Sequence, residues 1–482
     1  MSKTDDDFVK EITSKDEDFS RWYVDVIRKS ELADYSPIKG CMVIKPYGYE
    51  LWENIRNELD KRIKATGHRN AYFPLFVPES LLKREAEHIE GFAPEVAWIT
   101  HGGDDELEER IAIRPTSEAI IGATYSQWIE SWRDLPLLIN QWANIVRWEK
   151  VTRLFLRTRE FLWQEGHTAH ATAEEAEEET LKMLEVYREF SEDMLAMPVL
   201  VGRKSEGQKF PGAVHTYAVE ALMSNGWALQ AGTSHNLGQH FAKVFNIQYL
   251  DQNQQQQYVW QTSWGVSTRL VGGVIMTHGD SSGLILPPRI APVQAIIVPI
   301  LFDKTKAMVL AKVEQLLASL SDGLRVEADV RDTYTPGWKF SEWEMKGVPL
   351  RIEVGPRDIQ NEQVVVVRRD TREKLIVKEA DLRSEIERNL ADIQASLFQR
   401  AKEFRDENTC EVESFEEFES IMAEGRGFIY TNWCGSAECE DEIQARTAAT
   451  IRCIPLGNET ATGPCVLCNE EGKYKAYFAK AY

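Results

Sequence analysis

The stretch NIVRWEKVTRLFLRTREFLWQEGH, from Asn144 to His167, constrains this chain more than any other. β-branched and aromatic residues fill both ends and charged residues crowd the middle, so it reads as two extended segments joined by a polar loop. The pattern predicts an outgoing strand over 144–149, a turn over 150–154 and a returning strand over 155–163. Arg147 and Glu149 stand two apart and so project from one face of a strand. Arg157, Phe161 and Glu165 follow in steps of four. Arg-x-Glu alone describes an ordinary edge hairpin with a surface ion pair. Its meaning depends on the motifs around it.

Those residue types suit one kind of chemistry. A site that joins a carboxylate to an α-phosphate must neutralise charge on a pentacovalent phosphorus, which a fixed guanidinium does well. A nearby carboxylate can accept from an adenine amino group. The order Arg-x-Glu, loop, Arg-x-x-x-Phe-x-x-x-Glu resembles motif 2 of the class II aminoacyl-tRNA synthetases, an antiparallel hairpin that cradles ATP and the amino acid.

At 482 residues the chain has room for two to four domains. No apolar run approaches the length of a membrane span, and the polar opening MSKTDDDFVK is not that of a signal peptide, so a cytoplasmic protein with no membrane partner is expected. The net charge of −21 excludes a protein that coats nucleic acid by bulk electrostatics. A tRNA partner would need a local basic track. Six of the seven cysteines fall after residue 409, a clustering that favours metal over disulfides in a reducing compartment.

Taken in order, residues 1–46 form an N-terminal arm with one amphipathic helix near Asp18 to Ser30. Leu51, Ile55, Leu59 and Ile63 mark a stronger helix that Gly67 stops. The segment AYFPLFVP follows, with Pro74 and Pro78 marking an edge or an interface. A long helix followed by such a strand resembles motif 1, the dimerisation element of class II enzymes. In IAIRPTSEAII, Thr116 and Glu118 open a helix. Thr116 is a poor capping residue, since Ala119 stands where a capping box needs an acid. The pair looks like the Thr-x-Glu loop of class IIa synthetases, and a carboxylate is the natural partner of an amino-group cation.

Thr172 and Glu175 form a good capping box for a helix reaching about Met194, with EEAEEE as its solvated face. GRKSEGQ mimics the start of a phosphate loop, but Gln208 stands where lysine is required. His167 and His170 lack a third metal ligand. ALQAGTSHNLGQHF places Gln230, Thr233 and His235 on a strand-to-turn element, and QNQQQQ at 252–257 reads as a solvent loop. In TSWGVSTRLVGGVIMTHGDSSGLILPP, small residues lead to Arg269 and an apolar helix. This resembles motif 3, whose arginine holds the γ-phosphate.

Residues 289–400 alternate strands and helices, which gives an α/β sheet covered on both faces. The tail carries Cys434 and Cys439 as Cys-x4-Cys and Cys465 and Cys468 as Cys-x2-Cys. Two short-spaced pairs separated by a long loop predict a closed, tetrahedral structural Zn²⁺ site, with Cys410 and Cys453 spare.

Together, YFPLFVPESL, RPTSE, RWE, EFLWQEGHTAH, QAGTSHNLGQ, STR and IMTHGDSSGLILPP resemble the prolyl-tRNA synthetases, in the archaeal/eukaryotic-like subtype with a C-terminal zinc domain. The likeness runs from about residue 20 to Tyr482. It implies an α+β catalytic domain over 1–288, with an antiparallel sheet of six or seven strands and flanking helices. An α/β anticodon-binding domain over 289–400 and a small α+β zinc-binding domain over 401–482 would follow.

The same resemblance implies ligation of L-proline to tRNA(Pro) with ATP, in two steps through a prolyl-adenylate, by a homodimer. Arg147 would bind the α-phosphate and stabilise the transition state, with Arg157 and Arg269 on the triphosphate tail and Mg²⁺ bridging the phosphates. Glu149 and Thr158 would contact adenine or its ribose, and Gln230 and Thr233 the nucleoside. Thr116 and Glu118 would hold the imino group. Trp163, Glu165, His167, Phe210, His235, Ser263 and Gly265 would shape the ring pocket. Glu344, Arg351 and Arg357 match the base-reading positions, and suit guanine because arginine donates to O6 and N7. Tyr482 would lie near the active site.

A threonyl-type relative would carry metal ligands in its amino-acid pocket, and a non-catalytic paralogue would have lost Arg147, Arg157 or Arg269. Glu165 and Gly265 are only 100 positions apart, too close to admit an inserted editing domain besides the elements already needed there.

Overall fold

A computed structural model describes residues 12–88, 95–425, 427–457 and 460–482; the opening MSKTDDDFVK lies outside them. Helix α1 (Phe19–Lys29) starts where Asp18 accepts a hydrogen bond from the Arg21 amide, and buries Trp22, Tyr23, Val26 and Ile27. Helix α2 (Pro46–Ala65) buries the predicted Leu51, Ile55, Leu59 and Ile63. Gly67, at φ +93°, turns the chain out of it.

A short strand β1 (Arg69–Asn70) and helix α3 (Glu118–Trp128) lead to the hairpin of β2 (Leu137–Val146) and β3 (Glu160–His170). The hairpin exists, but its first strand ends at Val146 rather than 149, and its second starts at Glu160 rather than 155 and runs past 163 to His170. After Val146 the Arg147 amide still bonds across, to the Arg159 carbonyl at 2.8 Å, but the Trp148 amide turns to Glu95 at 2.9 Å. The connection is therefore 147–159, pinched by a bridge between Arg153 and Arg157. Its tip is not polar: Leu154, Phe155 and Leu156 are buried in the main core. The Leu154 carbonyl accepts from the Tyr23 hydroxyl at 2.9 Å. Burying three large apolar side chains outweighs the loop's polar composition.

Helix α4 (Ala173–Asp193) begins at the Thr172 cap and packs on the sheet formed by β4 (Val199–Arg203), β5 (His215–Leu222), β6 (Ala228–Gly238) and β7 (Trp260–Ser267). Helix α5 (Arg269–His278) follows β7 directly. Part of QNQQQQ is not loop, since Gln256 and Gln257 lie on a short, exposed strand paired with Gln248–Leu250. A hairpin of Trp98–Gly102 and Asp105–Ile113 was not expected at all.

The next unit holds β8 (Ala295–Pro299), α6 (Lys306–Leu320), β9 (Val326–Ala328), α7 (Pro336–Met345), β10 (Leu350–Val354), β11 (Gln363–Arg368), β12 (Lys374–Lys378) and α8 (Leu382–Glu407). Its sheet runs β9-β8-β10-β11-β12, parallel over the first three and antiparallel after. The last unit adds β13 (Thr409–Glu411), β14 (Phe428–Trp433), α9 (Ala437–Thr447), β15 (Thr450–Pro455) and β16 (Tyr474–Ala479).

One large sheet joins the first and last units, in the order β13-β14-β16-β15-β4-β5-β6-β7-β3-β2-β1, eleven strands in all. Seven come from the first 288 residues. The other four attach where Ile454 pairs Arg203 and Pro455 pairs Gly202. This edge-to-edge junction covers a strand edge that would otherwise be open.

Candidate active site and cysteine cluster

Strand register builds the site. Trp163, Glu165 and His167 alternate along β3, with Ser267, Gly265 and Ser263 of β7 opposite them. β6 sets Thr233 against Gly265 and His235 against Ser263, and β5 sets Thr216 against His235. On the other flank, Gln141 of β2 faces Glu165. Residues two apart on a strand share a face, and so do residues directly opposed. All of this row except Gln141, which stands behind Glu165, opens into one cavity of ≈ 360 Å³.

Thr116, Glu118, Arg147, Trp163, Glu165, His167 and Phe210 line it, as do Gln230, Thr233, His235, Ser263, Gly265 and Arg269. Glu149, Arg157 and Thr158 do not. Thr158 is buried and donates to the Glu160 carbonyl at 2.7 Å, and Arg157 projects from the 147–159 connection.

One end of the cavity is acidic and tightly held. Glu165 accepts from Gln141 Nε2 at 2.7 Å and from Ser117 Oγ at 2.5 Å, and its other oxygen lies 2.9 Å from His167 Nε2. Burial opposes the charged form of His167, but the hydrogen bond and charge of Glu165 outweigh it, and the pKa is raised. Thr116 donates to the Glu118 carboxylate. Ser117, rather than Thr116, is the residue before the helix. Phe210 lies against the His235 ring, centroids 4.7 Å apart, and the Thr216 hydroxyl is 3.0 Å from His235 Nδ1. Burial holds His235 neutral, its pKa pushed down to about 3.

The other end is basic. Arg147 donates to the Pro115 carbonyl at 3.0 Å and sits over the Phe161 and Trp163 rings. Arg269, the first residue of α5, donates to the Leu156 carbonyl at 3.1 Å. Burial, then the neighbouring Arg157 and Arg147 guanidiniums, bring its pKa down to about 10. Three like charges gathered at one place repel unless an anion joins them. A Cβ on Gly265 would stand 3.0 Å from the Gln164 carbonyl, so only glycine keeps the floor of the cavity flat. The Trp163 indole nitrogen and the Ser263 hydroxyl are buried with no hydrogen-bond partner among the described residues.

Gln141, Ser117 and Thr216 were missed. Nothing local marks them: Gln141 and Thr216 face residues on other strands, and Ser117, before helix α3, reaches Glu165 only in the folded chain. Lys209 and Ser267 also line the cavity.

In the second unit Glu344 and Arg351 share a cavity of ≈ 150 Å³. Arg351 donates to Glu353 at 3.0 and 2.8 Å and lies 4.1 Å over the Phe340 ring; Glu344 pairs with Arg372 at 3.2 Å. Arg357 is exposed on a short helix and does not line this cavity. Arg368, Arg369, Arg372 and Lys374 do, the three arginines each paired with an acid: Arg368 with Asp370 and Asp392, Arg369 with Asp280, and Arg372 with Asp280 and Glu344.

The sulfurs of Cys434, Cys439, Cys465 and Cys468 all lie within 4.8 Å of one another. Cys439 sits at the start of α9, its amide donating to Ser436 Oγ at 3.2 Å. Cys410 and Cys453 lie outside this group. Tyr482 accepts from Asn225 at 2.8 Å and its amide bonds the Ala228 carbonyl at 3.2 Å, two residues from Gln230.

Three family profiles match the chain. One described as "tRNA synthetase class II core domain (G, H, P, S and T)" matches residues 98–278, one described as "Anticodon binding domain" matches 294–389, and one described as "Prolyl-tRNA synthetase, C-terminal" matches 415–482. The chain is 59% identical to the proline–tRNA ligase of Natranaerobius thermophilus over 485 residues and 58% identical to that of Alkaliphilus oremlandii over 482, in both cases across 100% of each chain. It is also 54% identical to proline–tRNA ligase 2 of Clostridioides difficile over 483 residues, again across 100% of both.

Proposed function

We propose that this chain, which belongs to the prolyl-tRNA synthetases of class II, joins L-proline to tRNA(Pro) with ATP. The observation that carries the reading is the polarity of the ≈ 360 Å³ cavity, acidic at Glu118 and Glu165 and basic at Arg147 and Arg269. An amino acid with a cationic nitrogen and an anionic carboxylate fits that gradient, with a polyphosphate beyond it.

Thr116, Glu118 and Glu165 hold the imino group, and His167 orients Glu165. Trp163, Phe210, His235, Ser263 and Gly265 enclose the ring. The unpartnered Ser263 hydroxyl and Trp163 indole nitrogen gain partners when a polar ligand enters. Arg147 grips the carboxylate and the α-phosphate. The carboxylate oxygen attacks the α-phosphorus, the bond to the β-phosphate oxygen breaks, and pyrophosphate leaves. Arg147 offsets charge at phosphorus while Arg269 and Arg157 hold the departing phosphates. Gln230 and Thr233 hold the nucleoside, with Glu149 and Thr158 on its adenine side. In the second step the terminal ribose hydroxyl of tRNA attacks the adenylate carbonyl and AMP leaves.

Mg²⁺ belongs to this reading as an ion carried on the phosphates of ATP. The four cysteines fit Zn²⁺: a tetrahedron with Zn–S near 2.3 Å sets sulfurs about 3.8 Å apart, and those here lie within 4.8 Å. Such a site is closed and structural, supplying stability to the last unit rather than chemistry.

The division at 288 and 400, the archaeal/eukaryotic-like subtype, a homodimer and a cytoplasmic location complete the proposal. So do base reading by Glu344, Arg351 and Arg357 and the lack of an editing domain. Between Glu165 and Gly265 run the end of β3, α4, β4, a loop over 204–214, β5, β6, the helix His240–Phe245, a short hairpin and the start of β7, which supports the reading that no domain is inserted there. Proline-dependent ATP–pyrophosphate exchange by the pure protein tests the whole. Exchange that ignores proline, or follows another amino acid better, would refute it.

A further inference from the structure

In the second sheet β8 lies between the two strands that follow it, β9 on one side and β10 on the other. The chain reverses direction at β8, so the loops leaving the carboxyl ends of β8 and β9 part to open a crevice. In open α/β sheets that is where ligands bind. Here the crevice holds a cavity of ≈ 330 Å³, lined by Phe302 and Lys306 after β8 and by Arg331, Tyr334 and Lys339 after β9. It shares no lining residue with the cavity of Glu344 and Arg351.

Tyr334 and Arg331 in its wall belong to a cluster of planar groups that continues behind the lining to Trp338. Tyr334 and Trp338 stack with centroids 3.9 Å apart and planes 14° apart. The Arg331 guanidinium lies 5.1 Å from the first ring and 5.6 Å from the second. Arg331 is held in place by Asp329, at 2.9 and 2.6 Å, and by the Glu342 carboxylate. Tyr334 is 43% exposed and Phe302 61%. A stack that already carries two rings and a fixed guanidinium, with one ring open to solvent, offers a face to a further flat ring.

The neighbourhood says which ring. Pro336 and Lys339, near the start of α7, line this crevice, whereas Trp343 and Glu344, near its end, line the basic cavity. The two sites are about 12 Å apart along the helix at 1.5 Å per residue, within reach of one single-stranded loop. Asp329 joins them, fixing Arg331 on one side and accepting from the Trp343 indole at 2.9 Å on the other. Both belong to the unit that matches an anticodon-binding profile.

We propose that the crevice stacks one further unpaired base of the bound tRNA on Tyr334, beside the bases read by Glu344 and Arg351. The inference rests on the reading of this unit as the anticodon-binding part of the enzyme. Every base has a flat face, so the site adds affinity without adding sequence preference.

Binding of the full-length protein to a tRNA(Pro) transcript tests it, with proline-dependent ATP–pyrophosphate exchange measured alongside. Tyr334→Ala is expected to weaken tRNA binding about 5- to 100-fold and to leave exchange unchanged, while Tyr334→Phe keeps the parent affinity. Transcripts made abasic at one anticodon-loop position at a time should include one whose loss is not deepened by Tyr334→Ala. If Tyr334→Ala binds like the parent while Arg351→Ala is defective, the crevice proposal alone falls. If neither variant is defective, the anticodon reading falls with it. A Tyr334→Phe variant as weak as Tyr334→Ala would rule out stacking.

Discussion

Arg452 and Glu220 are joined through one edge of a guanidinium, Nε and Nη2, at 3.1, 3.0 and 2.9 Å, across the junction between the last unit and the main sheet. Glu220 is fully buried and Arg452 is 7% exposed. Lys204 shares the same carboxylate at 2.7 Å and donates to the Arg452 carbonyl. Glu220 stands opposite Gln230, which lines the main cavity, so the pair also supports the cavity wall.

Arg452→Ala is expected to lower stability by roughly 3 kcal/mol, because breaking a buried pair leaves a charge without a full partner. Arg446→Ala makes the contrast. Its pair with Glu419 has side chains 42% and 38% exposed, and such pairs contribute less than about 1 kcal/mol. Denaturant titration of the two variants checks the difference; equal losses would mean that the junction is not a stabilising contact.

Arg269→Ala should abolish adenylate formation and leave the fold intact. Its guanidinium meets Arg147 and Arg157 where a triphosphate would neutralise all three, and losing one such contact costs on the order of several kcal/mol of transition-state stabilisation. Pyrophosphate exchange near the parent rate in a folded variant would remove Arg269 from the site.

One Zn²⁺ per chain is expected. Cys468→Ser should lose it and Cys453→Ser should keep it, since Cys453 lies outside the cluster. Elemental analysis of the purified variants decides, and the reverse pattern would overturn the ligand set.

Stability should fall in mild acid. Burial holds His278 neutral, its pKa lowered from 6.5 to about 4 while Nε2 lies 2.9 Å from the Leu195 carbonyl. A depressed histidine contributes stability that is full above pH 6.5 and is lost as the pH falls toward 4. The loss is on the order of 3 kcal/mol for such a shift. His278→Gln keeps a donor and removes the titration, so its melting temperature should drop less between pH 6.5 and 4.5. An unchanged slope would exclude His278 as the titrating group.

Alanine is smaller than proline and cannot be kept out of the ring pocket by size; lost packing discriminates by about 1–3 kcal/mol per methylene. Alanine activation should therefore be detectable. The protein is nevertheless expected not to hydrolyse alanyl-tRNA bearing the proline anticodon, because the span between Glu165 and Gly265 is occupied by strands of the main sheet and short elements packed with them. Hydrolysis well above the buffer rate, surviving mutation of Arg147, would reveal an editing site.

Much of the cavity was legible because its signals are local. Alternation along a strand is fixed by covalent geometry, but Trp163, Glu165, His167, Ser263 and Gly265 were legible through the family likeness of their motifs, since the returning strand was expected to end at Trp163 and instead runs to His170. The run of apolar residues at every fourth position in α2 and the cap at Thr172 are equally short-range, and both elements lie where the pattern put them. Cysteine spacing likewise declares a cluster before any fold is known. Register is different. Nothing in the sequence says that Gln141 and Ser117 hold Glu165, or that Thr216 meets His235, because those pairs arise only when strands align. Burial overrode composition at Leu154–Leu156, where the tertiary core took in a tip that its charged neighbours made look polar. Arg452 and Glu220 stand 232 positions apart. Only the folded chain could bring them together, because the gain from joining two buried charges and two strand edges appears once the intervening units have closed the loop between them.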